Sequence, residues 1–285
     1  MNSARIRAVA ATAPEFPGSL KDLEHVPDPI FTIGDLEVLQ KPLVSIVGTR
    51  DPTAYGLRTA RLLATALVRA GVVVVSGMAR GIDAAAHRAA LENEAPTIAV
   101  LGTGIDVPYP VGHTELHRAI GETGLIISEN GSGTRAHRGV FPKRNRIIAA
   151  LGKITIVVEA GHKSGALITA RQALELGRTV AAVPGPIDSL QSDGTNLLLR
   201  DGATVIATVA DALTLAGVQQ VSQTEPIHLS EVDSRVWSVL GGESLSVDSI
   251  ASRARLSTRE CLAAVTSLEL SGMIESLTSG EIRRR

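Results

Sequence analysis

The chain has 285 residues, a formal net charge of −1 at pH 7 and a single cysteine, Cys261. One cysteine excludes an internal disulfide and a cysteine-based zinc site, and it fits a reducing compartment. No run of about 18 apolar residues occurs, and residues 1–14 lack a signal-peptide core, so we expect no membrane span and a cytoplasmic location.

The first 40 residues contain four prolines and little hydrophobic periodicity, which predicts an extended N-terminal arm that packs on the main domain. Over residues 41–215, short β-branched runs alternate with amphipathic stretches. The predicted strands are 43–47, 72–76, 97–101, 125–128, 154–158, 179–183 and 204–206. Most of these runs are continuously apolar, as in parallel strands that are buried on both faces. The pattern predicts an α/β domain with an extended Rossmann-like, doubly wound and mostly parallel sheet.

The C-terminal part predicts a small separate domain. Residues 216–229 resemble a linker, and residues 230–285 predict three helices and a closing hairpin, which together resemble a winged helix. Ser257 with Glu260 predicts a capping box at the start of the third helix. Residues 228–285 hold seven Arg and eight acidic residues. This charge does not predict strong duplex binding, so docking to a partner is an equal candidate for this module.

Three predicted strands run into loops that combine glycine with serine, threonine or arginine. The motifs are Gly48-Thr49-Arg50, Ser76-Gly77-Met78-Ala79-Arg80-Gly81-Ile82-Asp83, and Ser164-Gly165 with Thr169. In open α/β sheets, ligands bind beyond the carboxyl ends of the strands, where glycine turns can offer backbone N–H groups to an anion. A tight turn with a capping acid explains the glycines, but it explains Ser76 and Arg80 less well. Three such loops at one edge predict a binding crevice.

A basic segment lies between Glu129 and Glu159, where the sequence has six Lys or Arg residues and no acidic one. These are Arg135, Arg138, Lys143, Arg144, Arg146 and Lys153. At its centre, Phe141 stands beside the cations, and a nucleic-acid strand needs cations for its phosphates and a flat ring for a base. The alternative is a solvated basic face with Phe141 in the core. The neighbouring loops favour the crevice, with Phe141 as the single ring for a base.

We expect no catalytic residues, no metal site and no cofactor. Ser76 and Ser164 lack the G-x-S-x-G turn of hydrolases, and a Walker A loop is missing. His113 and His117 have no acid on their helix face, which favours surface histidines over a metal site. The alternative from another class is a Rossmann-type nucleotide-processing enzyme, a phosphoribohydrolase or N-glycosidase, with Asp83 or Glu159 as its acid.

Taken in order, these motifs resemble the DNA processing protein A family, also called DprA or Smf. The resemblance covers roughly residues 15–215 and includes the upstream Phe16-Pro17. It implies a non-enzymatic cytoplasmic protein that binds single-stranded DNA during natural transformation, protects the incoming DNA and loads the RecA recombinase. It also implies a homodimer formed through the Rossmann-like domain.

The resemblance also implies a set of strand-binding positions. These are Arg50, Ser76, Gly77, Arg80, Gly81, Phe141, Lys143, Arg144, Arg146, Ser164, Gly165 and Thr169. By charge, Arg50, Lys143 and Arg144 would clamp phosphates. Phe141 would stack on a base, and Asn145 would either bond a base edge or cap the nearby helix.

Overall fold

The computed structural model describes residues 6–137, 139–218, 229–240, 244–270, 273–277 and 280–284. The chain divides into two compact units, residues 1–221 and 222–285. Arg138 and most of the predicted linker, residues 219–228, lie outside the described residues. Within the described part, no helix combines the length and apolar character that crossing a membrane requires.

A nine-stranded sheet forms the centre of the larger unit. Its strands are β1 (Arg7–Val9), β2 (Ile30–Gly34), β3 (Leu43–Val47), β4 (Val73–Ser76), β5 (Thr97–Leu101), β6 (Leu125–Ser128), β7 (Ile154–Val157), β8 (Thr179–Ala182) and β9 (Thr204–Val205). They lie in the order β1-β2-β6-β5-β4-β3-β7-β8-β9. β3 to β9 pair in parallel, whereas β1 and β2 are antiparallel. The predicted doubly wound, mostly parallel sheet is confirmed.

Helices cover both faces of this sheet. They are α1 (Ala54–Arg69), α2 (Ile82–Glu92), α3 (Thr114–Thr123), α4 (Val140–Leu151), α5 (Gly165–Glu175), α6 (Asp193–Arg200) and α7 (Val209–Leu215). Within β4, Val73 and Val75 pack in the apolar layer that includes residues of α4 and α5. Val74 packs in the opposite layer with residues of α1 and α2. Burial on both faces is the reason that these strands are continuous apolar runs.

The N-terminal residues belong to the sheet, which differs from the predicted arm. β1 pairs with β2, and β2 pairs with β6, so the two strands extend one edge of the sheet. Between them, Phe16 and Leu20 are buried in the apolar layer that includes α4 residues. The two strands have three and five residues, which is too short for a periodic pattern to stand out among the prolines.

The smaller unit has the predicted winged-helix architecture. Its elements are α8 (Glu231–Val239), β10 (Leu245–Ser246), α9 (Val247–Ala254), α10 (Thr258–Leu270), β11 (Ile274–Ser276) and β12 (Glu281–Arg284). The three strands form an antiparallel sheet in the order β10-β12-β11. The capping box is present, because the Glu260 N–H donates to the Ser257 hydroxyl and the Ser257 N–H donates to the Glu260 carboxylate.

Candidate nucleic-acid interface

A cleft of about 770 Å³ opens beyond the carboxyl ends of the parallel strands. Its walls come from the loops after β3, β4, β5, β7 and β8 and from the first turns of α4, α5 and α6. Seven of the thirteen predicted site residues line it: Arg50, Phe141, Arg144, Asn145, Ser164, Gly165 and Thr169. The other six, all of them described residues, do not: Ser76, Gly77, Arg80, Gly81, Lys143 and Arg146.

The loop after β3 is fixed from below by Glu159, which follows β7. The Thr49 N–H donates to the Glu159 carbonyl at 2.7 Å. The buried Glu159 carboxylate accepts the Thr53 N–H at 2.9 Å and also the Thr53 hydroxyl. The intervening Arg50 is exposed and lines the cleft. Glu159 therefore fixes the backbone of the loop whose exposed cation, Arg50, lines the cleft.

The glycine turn after β4 forms the predicted nest of N–H groups, but its own acid fills the nest. The Asp83 carboxylate accepts the Gly77 N–H at 3.1 Å and the Ala79 N–H at 3.3 Å. The Ser76 hydroxyl is buried and donates to the Ile46 carbonyl at 2.6 Å. Arg80 is exposed but lies outside the cleft lining. The Ser76 hydroxyl and the N–H groups of Gly77 and Ala79 therefore have partners within the protein, in contrast to the predicted open anion nest.

Arg144 is almost completely buried, in contrast to the predicted phosphate clamp. Its guanidinium donates to the carbonyls of Gly77, at 2.7 Å, and of Val100. Burial lowers the pKa of Arg144 to about 10, and the charge of Asp83 opposes this effect. Burial also raises the pKa of Asp83, against the opposing charge of Arg144. Arg144 thus ties the ends of β4 and β5 together beneath the cleft.

α4 divides the basic motif between two of its faces. Phe141, Asn145 and Ile148 line the cleft, as expected for residues at i, i+4 and i+7. Lys143 and Arg146, three positions apart, both form ion pairs with Glu129. Two cations of the basic segment are therefore paired with an acid, Glu129, that lies just before the segment in sequence.

Two aromatic rings meet at the cleft where the sequence predicted one. The ring of Tyr109, from the loop after β5, lies 5.2 Å from the ring of Phe141, centroid to centroid. The Arg50 guanidinium carbon lies 5.3 Å from the Phe141 centroid, within the range of a cation–π interaction. Tyr109 was missed because it is 32 positions before Phe141. Its place in a loop after a predicted strand was the available signal.

The opposite wall is the start of α5. The Ser164 hydroxyl caps this helix by accepting the Ala166 N–H at 3.3 Å. The side-chain amide of Asn145 donates to the Gly165 carbonyl at 3.3 Å, which joins α4 to the α5 turn. Thr169 is buried one helical turn further on. The preceding Lys163 is exposed on the cleft wall and was also missed.

The groups that a nucleotide-processing enzyme would need are engaged in structural contacts. Asp83 fills the glycine turn, and Glu159 holds Thr53. His113 is buried and not on the surface as predicted, and its ring donates to the Met78 carbonyl at 2.9 Å. His117 donates to the Ile105 carbonyl. Among the described residues, no group of three or more His, Cys, Asp or Glu could hold a metal ion.

Comparison with known proteins agrees with this fold. Residues 7–217 match the family model described as DNA recombination-mediator protein A, and residues 220–280 match the DprA winged helix domain. The DNA processing protein DprA of Streptococcus pneumoniae is 42% identical over 198 residues, covering 70% of each chain.

Two solved structures are also similar. The X-ray structure of Streptococcus pneumoniae DprA has a TM-score of 0.71 and 40% identity, covering 74% of each chain. The Helicobacter pylori protein, whose structure is described as revealing a single-stranded DNA binding mode, has a TM-score of 0.68 and 32% identity. That match covers 75% of this chain and 97% of the other. The chain therefore belongs to the DNA recombination-mediator protein A family of DNA-processing proteins, and its C-terminal part matches the winged-helix domain of that family.

Proposed function

We propose that this protein binds single-stranded DNA in the cleft, protects incoming DNA and loads the RecA recombinase during natural transformation. It acts in the cytoplasm as a homodimer and catalyses no reaction. The observation that carries the binding step is the meeting of an exposed guanidinium, Arg50, with two aromatic rings at the cleft. The reported strand binding of the Helicobacter pylori relative supports it. The recombinase, the dimer and the location rest on the family resemblance.

The rings favour single strands over duplex DNA. A base can stack on a protein ring only when its face is not covered by base pairing and stacking within a duplex, and such stacking tolerates any base. Phe141 and Tyr109 lie on a concave surface, which an unpaired strand can enter. The preference should therefore be for unpaired DNA with little sequence specificity.

The exposed charges predict a modest dependence on salt. Arg50 and Lys163 are the exposed Lys and Arg residues among those that line the cleft in the described part of the chain, and the acids Asp51 and Asp193 lie on the same rim. Each phosphate neutralised on a single strand contributes a slope of about −0.7 to log K against log salt. Two such contacts give a slope of about −1.4 for one cleft.

The test is fluorescence anisotropy of a labelled oligothymidine, with a matched duplex, across a series of salt concentrations. The wild type should prefer the oligothymidine, and Arg50→Glu should lower affinity and flatten the salt slope by about 0.7. Arg88→Glu is the matched control, because Arg88 is an exposed arginine of α2 that does not line the cleft. Equal binding to duplex, or equal effects of the two substitutions, would contradict the proposal.

The same variants test the recombinase step. RecA-dependent ATP hydrolysis on oligothymidine coated with a single-strand-binding protein should rise when the wild type or Arg88→Glu is added. Arg50→Glu should give no rise, because a mediator that cannot hold the strand cannot deliver it. If Arg50→Glu increases ATP hydrolysis as much as the wild type does, loading of the recombinase does not require the cleft.

A further inference from the structure

We infer that Tyr109 is a second base-contacting residue, so that an unpaired base lies against a two-ring surface and not against Phe141 alone. This inference rests on the proposed binding of single-stranded DNA. Its support comes from the ring geometry, the exposure of Tyr109 and the anchoring of the loop that carries it.

The geometry places the available stacking surface on the outside of the ring pair. The Tyr109 and Phe141 centroids are 5.2 Å apart, with the ring planes tilted by 35°. Directly packed aromatic pairs have centroids about 4.5–7 Å apart, so this separation leaves no room for a base between the rings. A base must instead contact the pair from the cleft.

Of the two rings, Tyr109 is the more accessible. Phe141 is half-buried and already contacts both Tyr109 and the Arg50 guanidinium. Tyr109 is 39% exposed and lines the same cleft. Its hydroxyl has no hydrogen-bond partner within the described part of the chain, so it is free to bond a phosphate or a base edge. Flat rings of this kind bind bases without regard to sequence.

The loop that carries Tyr109 is held in place before any ligand arrives. The Thr103 hydroxyl donates to the Val107 carbonyl at 2.6 Å, and the Gly104 N–H donates to the Thr134 carbonyl at 2.8 Å. Ile105 is completely buried. A preorganised ring loses little conformational freedom on binding, so more of its contact energy contributes to affinity.

The experiment measures anisotropy of a labelled oligothymidine with Tyr109→Ala, Tyr109→Phe and Tyr55→Ala. Tyr109→Ala should weaken binding by about 5- to 150-fold, the range for one stacked base. Tyr109→Phe should recover most of this loss because it keeps the ring, and any remaining difference measures the hydroxyl. Tyr55 is the matched control, because it is also 39% exposed but does not line the cleft.

A direct readout on the wild-type protein separates contact from a merely structural role for Tyr109. Oligothymidine carrying 5-iodouracil is irradiated in the complex, and mass spectrometry identifies the attached residue. Attachment to Tyr109 is the expected result, and it requires no variant to fold. Attachment to Phe141 with none to Tyr109 would overturn the inference.

The outcomes for this inference and for the proposed function are distinct. If the wild type binds oligothymidine and folded Tyr109→Ala binds equally well, Tyr109 does not contact the strand and the proposed function stands. If the wild type does not bind oligothymidine at all, the proposed function fails and this inference fails with it. If Tyr109→Ala and Tyr55→Ala weaken binding equally, the effect is not specific to the cleft and the inference is wrong.

Discussion

Replacing Gly81 with alanine should weaken both folding and DNA binding, because the added methyl group would meet the loop that carries Arg50. Gly81 precedes α2 with φ 78° and ψ −126°, a conformation that residues with a side chain rarely adopt. A Cβ placed there would lie 2.4 Å from the Thr49 carbonyl oxygen and 2.9 Å from the Arg50 carbonyl carbon. Both atoms belong to backbone, which cannot rotate away as a flexible side chain can.

The cost follows from these contacts. The backbone conformation alone costs an alanine about 1–3 kcal/mol. The 2.4 Å contact must also open to at least 3.0 Å, while the Thr49 N–H is held by Glu159 at 2.7 Å. Losing that hydrogen bond adds about 1 kcal/mol. We expect the free energy of unfolding to fall by about 2–4 kcal/mol, which corresponds to a fall in Tm of about 4–16 °C for a domain of this size.

Affinity should fall as well, because the displaced loop carries Arg50 away from Phe141. A hydrogen bond to a charged group contributes about 1.5–3 kcal/mol, so loss of the Arg50 contact weakens binding about 10- to 150-fold. The assay is oligothymidine anisotropy well below the unfolding transition, combined with thermal unfolding followed by circular dichroism.

Gly71→Ala is the matched control. Gly71 has φ 80°, close to that of Gly81, but a Cβ there would have no atom within 4 Å. It should therefore lose about 1–2 kcal/mol of stability from its backbone conformation and keep wild-type affinity. If folded Gly81→Ala also binds with wild-type affinity, the position of Arg50 does not depend on this close approach, and the reasoning is wrong.

Two further predictions concern buried ionisable groups of the larger unit. Arg144→Met should lower the free energy of unfolding by about 3–5 kcal/mol, since it leaves the Asp83 carboxylate buried without its counter-charge and the Gly77 carbonyl without a donor. Adding Asp83→Asn should recover part of this loss in a thermal double-mutant cycle, whereas strictly additive losses would refute the coupling. His87 is buried with its pKa lowered from 6.5 to about 3, chiefly by desolvation, and its ring contacts the Thr97 hydroxyl. Because the unfolded chain binds a proton that folded His87 rejects, stability should fall by about 1.4 kcal/mol per pH unit as the pH drops from about 6 towards the folded pKa of about 3. His87→Asn should reduce this slope in thermal unfolding against pH, and an unchanged slope would refute the assignment.

The strands could be predicted from the sequence because their burial leaves a direct trace in it. Residues 43–47, 97–101 and 125–128 match β3, β5 and β6 to the residue. Each of these strands packs on both faces, so nearly all of its side chains are apolar, and glycine follows β5 and precedes β6. The short strands β1 and β2 lack such a pattern. Their place in the sheet depends on the pairing of β2 with β6, far along the chain, and of β1 with β2.

The position of the candidate site was also predictable, but the direction of its side chains was not. Parallel strands end at the same edge, so the glycine loops after β3, β4 and β7 had to converge there. Within α4, however, the spacing of 3.6 residues per turn sends Lys143 and Arg146 away from Phe141. The acid that receives them, Glu129, follows a different strand. A helical projection of residues 140–151 would have separated the two groups.

The glycine turn shows a second limit of sequence reasoning. A glycine turn at Gly77 followed six residues later by Asp83 is compatible with two structures. Either the N–H groups of the turn are open to an external anion, or the carboxylate of Asp83 accepts their hydrogen bonds. The Asp83 carboxylate closes it, because the first turn of α2 brings that side chain back to the Gly77 and Ala79 N–H groups. The choice depends on backbone geometry that residue types do not specify.

The residues of the candidate site fall into two groups, a buried frame that bonds the loop backbones and an exposed surface that can contact the strand. Asp83, Arg144 and Glu159 are buried, and they bond the backbone of the loops after β3 and β4 and of the last part of β5. Arg50 is exposed on the loop after β3 that this frame holds, and Tyr109 is exposed on the loop after β5, which has its own hydrogen bonds. Substitutions in the frame should therefore change stability and affinity together, because the loops lose their shape as they lose their support. Substitutions at the exposed positions should change affinity alone. A plot of the free energy of unfolding against the affinity for oligothymidine, for variants of the buried and of the exposed residues, would identify any residue assigned to the wrong group.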